Sequence, residues 1–337
     1  MTKNKIKGMF LGVFLGDVLG VPVEGFSADK IEKIYGKITS IVPPENHQKW
    51  LRNHKQGCYS DDCQLTIAVA EAMIDSDGIG DQEVAMNMQA KRHIDALKAT
   101  VAGWGRTTTS AVRKLANGEK WDVSGTIDAT RVGSGMGNGV AMKISPIGAY
   151  AAIDDDHYGA AVNFTRKLNA MTHQTSVSAS TGLAMMAAVA FCLKYEPNEF
   201  DESLFVNDVV GAAKIGKILD YPHTLVDDVV VRLEQLEDHQ SFNRDKIISE
   251  WKGGCYCYDS IPFTLMFFIK NPMKLDTLFE IVNNGGDTDS NCSMAGGLIG
   301  ALNGPEIFGD LSKQADQEQL AQVMDLAERF ADKFGFK

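Results

Sequence analysis

Positive charge is scarce in this chain: 33 lysines and arginines stand against 44 aspartates and glutamates, a formal net charge of −11 over 337 residues. A general nucleic-acid binder needs a basic face for the phosphate backbone, and this balance argues against one. A small anionic ligand is not excluded, because a metal site or helix N-termini can carry local positive potential. Cysteine is also sparse. Cys58, Cys63, Cys192, Cys255, Cys257 and Cys292 form no CxxC pair and no zinc spacing, so free thiols in a reducing cytoplasm are the expectation. Strand signals are few, and no linker, low-complexity tract or repeat interrupts the chain. No nucleophile elbow appears, which leaves Ser-His-Asp hydrolysis without support.

Long apolar runs are limited to one suspicious case, Met9 to Val23 after Lys3, Lys5 and Lys7. It has the look of a signal peptide, but Asp17 interrupts it, no small-residue cleavage site follows and Glu24 closes it. It is short and rich in glycine for a membrane span, so a core helix of a cytoplasmic, membrane-free protein is expected. Gly8, Gly12, Gly16 and Gly20 recur every four residues along it. That spacing lets a second helix approach closely within the core.

What is present is helical periodicity. It predicts helices over Ile6–Leu19, Ser27–Tyr35, from Ser60 onward, two within 81–117, and over Ile144–Tyr150, Tyr158–Leu168 and Thr175–Tyr195. Further helices are predicted over Phe205–Leu219, Leu225–Leu236, Leu275–Val282, after Ser290, and over Asp316–Phe334. Lys37–Gln56 reads as loop, and 118–141 as glycine-rich and aperiodic. One all-α domain over 1–337, monomeric by default, is the expected architecture.

Gly285-Gly286-Asp287-Thr288-Asp289-Ser290 is the stretch with the most chemistry. Two glycines turn the backbone, and Met294, Ala295, Leu298, Ile299 and Leu302 then mark a buried helical face. The acidic residues therefore sit at a loop-to-helix junction. They could cap that helix, or they could offer hard oxygen ligands to Mg²⁺ or Mn²⁺. Ser60-Asp61-Asp62 opens another helix in the same way. Four carboxylates in one place would repel by several kcal/mol, so clustering them calls for cations. Glu24 could be a solvated helix exit, or could orient a water or hydroxyl beside such a centre. The run Gly133 to Gly139 could be a flexible loop, or its backbone amides could cradle a pyrophosphate. His173, at a helix start, could touch a phosphate or be structural.

Taken in order, these pieces resemble the ADP-ribosylglycohydrolase family. Gly12-Val13-Phe14-Leu15-Gly16-Asp17-Val18-Leu19-Gly20-Val21-Pro22-Val23-Glu24 is similar to its GxxxGDxxGxPxE opening. Tyr59-Ser60-Asp61-Asp62-Cys63-Gln64-Leu65-Thr66 is similar to its second, acidic motif. Gly137-Asn138-Gly139-Val140-Ala141-Met142-Lys143-Ile144-Ser145-Pro146-Ile147-Gly148 is similar to its GNGxxMRxxPxG segment. Thr172-His173 and the Gly-Gly-Asp-Thr-Asp-Ser run complete the set, from about residue 6 to 305.

The resemblance implies an all-α fold with two divalent cations, Mg²⁺ or Mn²⁺, held by Ser60, Asp61, Asp62, Asp287, Asp289 and Ser290. It implies metal-dependent hydrolysis of the glycosidic bond between ADP-ribose and an acceptor, an ADP-ribosylated protein side chain in the first instance. Glu24, or a water held by Asp62 or Asp289, is the candidate base. Gly135, Met136, Gly137, Asn138 and Gly139 match the loop around the diphosphate, His173 a residue near phosphate and adenosine, and Tyr256 an aromatic against the ligand. O-acetyl-ADP-ribose, an ADP-ribosylated nucleic acid, or a non-catalytic crystallin-like role are the alternatives. Arginine-specific members carry Asp-Ile-Gly where this chain has Gly103-Trp104-Gly105, which counts against an arginine acceptor. Lys143 replaces the usual arginine and loses its planar fork.

Overall fold

The structure, a computed structural model, describes residues 2–45, 51, 54–99, 102–128, 130–131, 133–217 and 229–337. Among these, every regular element is helical. In chain order they are α1 (Lys3–Gly20), α2 (Ala28–Tyr35), α3 (Asp61–Asp75), α4 (Gln82–Lys98), α5 (Arg106–Ala116), α6 (Trp121–Ser124), α7 (Ser145–Ala151) and α8 (Asp155–Thr172). They continue as α9 (Ser176–Lys194), α10 (Glu202–Lys217), α11 (Val229–Glu234), α12 (Arg244–Glu250), α13 (Cys257–Lys270), α14 (Asp276–Val282), α15 (Thr288–Asn303) and α16 (Gln317–Lys333). Parts of the expected loop at 37–56 and of the helices expected at 205–219 and 225–236 lie outside the described residues.

The organising contact is the antiparallel pair of α1 and α15. A Cβ on Gly8 would lie 2.3 Å from the Gly300 carbonyl oxygen, on Gly12 1.9 Å from that of Gly296, on Gly16 2.0 Å from that of Cys292, and on Gly20 2.3 Å from that of Thr288. Nothing larger than hydrogen fits at this face, so the two backbones touch along their length. Gly296 and Gly300 answer in kind, with Cβ positions 2.2 and 1.9 Å from the Gly12 and Gly8 oxygens. The close approach expected from the four-residue spacing is therefore made by a helix nearly three hundred residues away. Thr288 Oγ1 donates to the Gly20 carbonyl at 2.8 Å and closes the ladder at its functional end.

Around this pair pack α16, α3 and the apolar helix α9. Lys5 reaches from α1 to the end of α9, donating to the carbonyls of Cys192 at 3.2 Å and of Tyr195. By length and hydropathy, Lys3–Val23 and Ser176–Lys194 could each cross a membrane, so the N-terminal run is not too short after all. Their windows are 94% and 100% buried inside the protein, which marks them as core helices.

Candidate active site

The ladder brings the exit of α1 beside the start of α15. Gly25 donates its N–H to the Gly286 carbonyl at 2.7 Å, and Gly286 donates to that of Phe26 at 2.9 Å. Gly285 and Gly286 have φ of 73° and 85°, which side-chain-bearing residues rarely adopt. This pairing fixes Glu24 next to the acidic turn. Carboxylate oxygens of Glu24, Asp287 and Asp289 lie within 4.8 Å of one another.

The second acidic turn is delivered by Asp17. Fully buried on α1, its carboxylate accepts the Ser60 N–H with both oxygens at 3.0 Å and the Cys63 N–H at 2.9 Å. Asp17 thus caps α3 from a distance. Ser60 sits at the N-cap position but its side chain takes no cap bond; its hydroxyl instead donates to Asp62 Oδ2 at 3.4 Å. Asp287 holds the same position on α15 and caps nothing either. Ser290 Oγ donates to Asp62 Oδ2 at 3.3 Å, so the two turns meet directly.

Glu24, Asp61, Asp62, Asp287, Asp289 and Ser290 share the wall of one cavity of about 380 Å³. The same cavity is lined by Gly137, Asn138, Gly139, His173, Tyr256 and the start of α5. Ser60, Gly135 and Met136 are not on this wall. Ser60 and Met136 are buried, and Gly135 O accepts the Thr175 hydroxyl at 2.7 Å. Asn138 lines the cavity, and its side-chain amide donates to Asp287 Oδ2 at 2.6 Å and to Ser260 Oγ at 3.2 Å, holding the acidic turn in place. The amides of Gly137 and Gly139 donate to no internal partner among the described residues. His173 ends α8 rather than starting α9. Burial, then the charge of Lys143, pushes it down to about 3, so it offers a neutral hydrogen bond. Tyr256 is 41% exposed, stacks on Tyr258 at 5.6 Å and pairs its backbone with Gly137.

The acidic end is electrostatically strained without a cation. Burial, then Asp289 and Asp287, pushes Glu24 up to about 11; burial, then Asp289, pushes Asp287 up to about 8. Burial, then Asp17, raises Asp289 to about 6, while Asp61 and Asp62 are pushed well above the usual carboxylate range by burial and Asp289. Charged pairs at this spacing repel by about 3 kcal/mol each at an effective dielectric near 20. Asp62 Oδ1 is buried with no hydrogen-bond partner. An all-oxygen donor set with such an orphaned oxygen fits a hard divalent ion.

The chain matches the description of the ADP-ribosylglycohydrolase family over residues 1–336. It belongs to the ADP-ribosylglycohydrolase family. Membership supports a hydrolase of the glycosidase type. ADP-ribosylhydrolase ARH3 of Mus musculus is 23% identical over 324 residues, covering 90% of this chain and 85% of that protein. An uncharacterized protein of Archaeoglobus fulgidus is 21% identical over 299 residues, 89% and 88% of the two chains. A solved structure titled ADP-ribosylglycohydrolase-related protein complex has a TM-score of 0.71 at 18% identity, over 98% of both chains, a likeness of fold.

Three residues that the sequence argument names have structural roles it does not give. Asp17 reads there as a break in an apolar run, although an aspartate inside such a run is itself a signal. Lys143 is wholly buried with its Nζ unpartnered, and burial draws it down to about 7. Gly103 has φ of 103°, and a Cβ there would lie 2.1 Å from Asp61 Oδ1, so no side chain can stand at that point.

Proposed function

We propose that the protein hydrolyses the bond between C1″ of ADP-ribose and an acceptor, with an ADP-ribosylated protein side chain as first candidate. The observation that carries this is one cavity lined both by a cluster of carboxylates and by glycines whose amides are free of internal partners among the described residues. The distal ribose faces the acidic end, where Asp61, Asp62, Asp287, Asp289 and Ser290 would hold two divalent ions. When bound there, Mg²⁺ or Mn²⁺ would neutralise the carboxylates and supply Lewis-acid activation of a water and of the sugar's hydroxyls.

The chain's own groups do the rest. Gly137 and Gly139 amides, neutral His173 and the N-terminus of α5 receive the diphosphate. Binding at both ends orients C1″ and excludes bulk water. Hydrolysis moves one proton from the attacking water and one to the departing acceptor. Glu24, half-buried at the cavity wall, is placed to carry the first, with Asp62 and Asp289 as alternatives. With Gly103 where an acidic residue would meet a guanidinium, arginine is a poor acceptor. A cytoplasmic monomer is part of this proposal, and all six cysteines are free, as a reducing compartment would leave them.

A panel of arginine-, serine- and nucleic-acid-linked ADP-ribose, with O-acetyl-ADP-ribose, tests it. The expected result is release of ADP-ribose from at least one substrate, abolished by chelator and by Asp289→Ala. Release from none, or release indifferent to both treatments, rejects it.

A further inference from the structure

Past the glycine loop, the active-site cavity borders a second chamber of about 330 Å³, walled by the inner face of α5 and by residues 124–128 and 133–134. Arg106, Thr107, Gly133 and Tyr256 belong to both walls, so the two spaces share a rim. Their charges are opposite. Arg106, Lys114 and Arg131 border the second chamber, and Asp128 is its acidic residue among those described.

Asp128 is occupied by its own turn, accepting the Thr130 N–H at 3.0 Å and the Thr130 hydroxyl at 2.6 Å. Arg131 acts on it through space, the weakest of the causes that hold its carboxyl below the ordinary range. Lys114 Nζ donates to the Thr126 carbonyl at 3.1 Å, which satisfies one donor and leaves its charge uncompensated. Three cations against one engaged carboxylate reverse the balance of a chain whose net charge is −11. Ser110 and Ser134 add hydroxyl donors to the same wall.

With the distal ribose at the carboxylates and the diphosphate at Gly137 and Gly139, the nucleoside end of the ligand passes Gly133 and Ser134 into this chamber. A bare nucleoside would present only hydroxyls and a neutral base to three cations. We propose that the chamber receives a phosphate carried on the nucleoside ribose, so that the preferred substrates are ADP-ribose conjugates phosphorylated at the 2′ or 3′ position. This rests on the ADP-ribose reading of the acidic site and extends it. Guanidinium groups pair with phosphate in bidentate fashion, and such charged hydrogen bonds are the strong ones.

Calorimetric titration at fixed ionic strength with Mg²⁺ compares ADP-ribose, its 2′-phosphate and its 3′-phosphate. One phosphorylated form is expected to bind about tenfold tighter or better, with an advantage that shrinks as salt rises. Whichever form gains locates the phosphate. In the double variant Lys114→Gln, Arg131→Gln, the ratio of its affinity to that of ADP-ribose should fall toward one. Both side chains reach solvent, so the variant is expected to fold, and circular dichroism checks it. Binding of ADP-ribose with no gain from either phosphate, or a gain fully kept in the variant, overturns the inference. No binding of any of the three overturns the functional proposal, and the inference with it.

Discussion

Asp17 and Ser60, forty-three positions apart, are joined by a carboxylate that accepts one backbone N–H on both oxygens at 3.0 Å. The same carboxylate takes the Cys63 N–H at 2.9 Å, the donor an N-cap hydroxyl would accept, which frees the Ser60 hydroxyl and starts α3 where the acidic site needs it. Asp17→Asn keeps the volume and replaces one acceptor with a donor. It should cost about 1–2 kcal/mol in urea unfolding and weaken Mg²⁺ binding, although Asp17 is not among the proposed ligands. Unchanged unfolding and unchanged Mg²⁺ titration would show that Asp17 does not position the site.

The α1–α15 ladder makes a second, sharper case. Gly12→Ala forces a methyl into the Gly296 backbone and should destabilise by about 1–3 kcal/mol or more, with Mg²⁺ affinity falling alongside. Gly211→Ala on α10, where a Cβ meets nothing within 4 Å, should be neutral or gain up to about 1 kcal/mol. Chemical denaturation of the two variants side by side decides the matter; similar losses would mean that the ladder carries no special constraint.

Much of this is legible from residue order, and the exceptions have physical causes. The four-residue glycine spacing announces a close helix partner but cannot say which, because the answering glycines, Gly296 and Gly300, lie at the far end of the chain. Asp287 and Ser60 look like caps in the sequence, and only tertiary structure shows that their side chains cap nothing. The helix α13 escapes a periodicity reading because Pro262 sits inside it and its apolar residues are nearly continuous, which hides the period. Helix α6 is only four residues long, and α12 has a single adjacent apolar pair, Ile247-Ile248, so neither shows one. The start of α8 at Asp155 rather than Tyr158 follows from Asp154, whose side chain accepts the His157 N–H at 2.9 Å. The bond from Asn138 to Asp287 is equally invisible in the sequence, because the two are joined only by the fold.

Asn138→Ala tests that last point. It removes no carboxylate, yet it leaves Asp287 Oδ2 without its 2.6 Å donor. Mg²⁺ affinity should drop by about 10–100-fold, the usual cost of losing a group that orients a ligand. An unchanged titration would return Asn138 to a loop role.

Lys143 sets a pH dependence. Burial draws its pKa from an ordinary 10.5 down to about 7 in the fold. The unfolded chain holds this proton more tightly, so the lysine's contribution to stability is complete above 10.5 and is lost progressively as pH falls from there to 7. In chelator, Lys143→Met should therefore be more stable than the parent at pH 6, by about 2 kcal/mol, with the gap closing toward pH 10. Urea midpoints at several pH values read this directly, and a gap that widens with pH would contradict it.

The most direct test of the whole account is an anomalous difference map from a crystal soaked in Mn²⁺. Peaks are expected in the cavity between Asp61 and Asp62 on one side and Asp287, Asp289 and Ser290 on the other. A fully soaked crystal with no anomalous density there, or with manganese bound only at surface carboxylates, would contradict it.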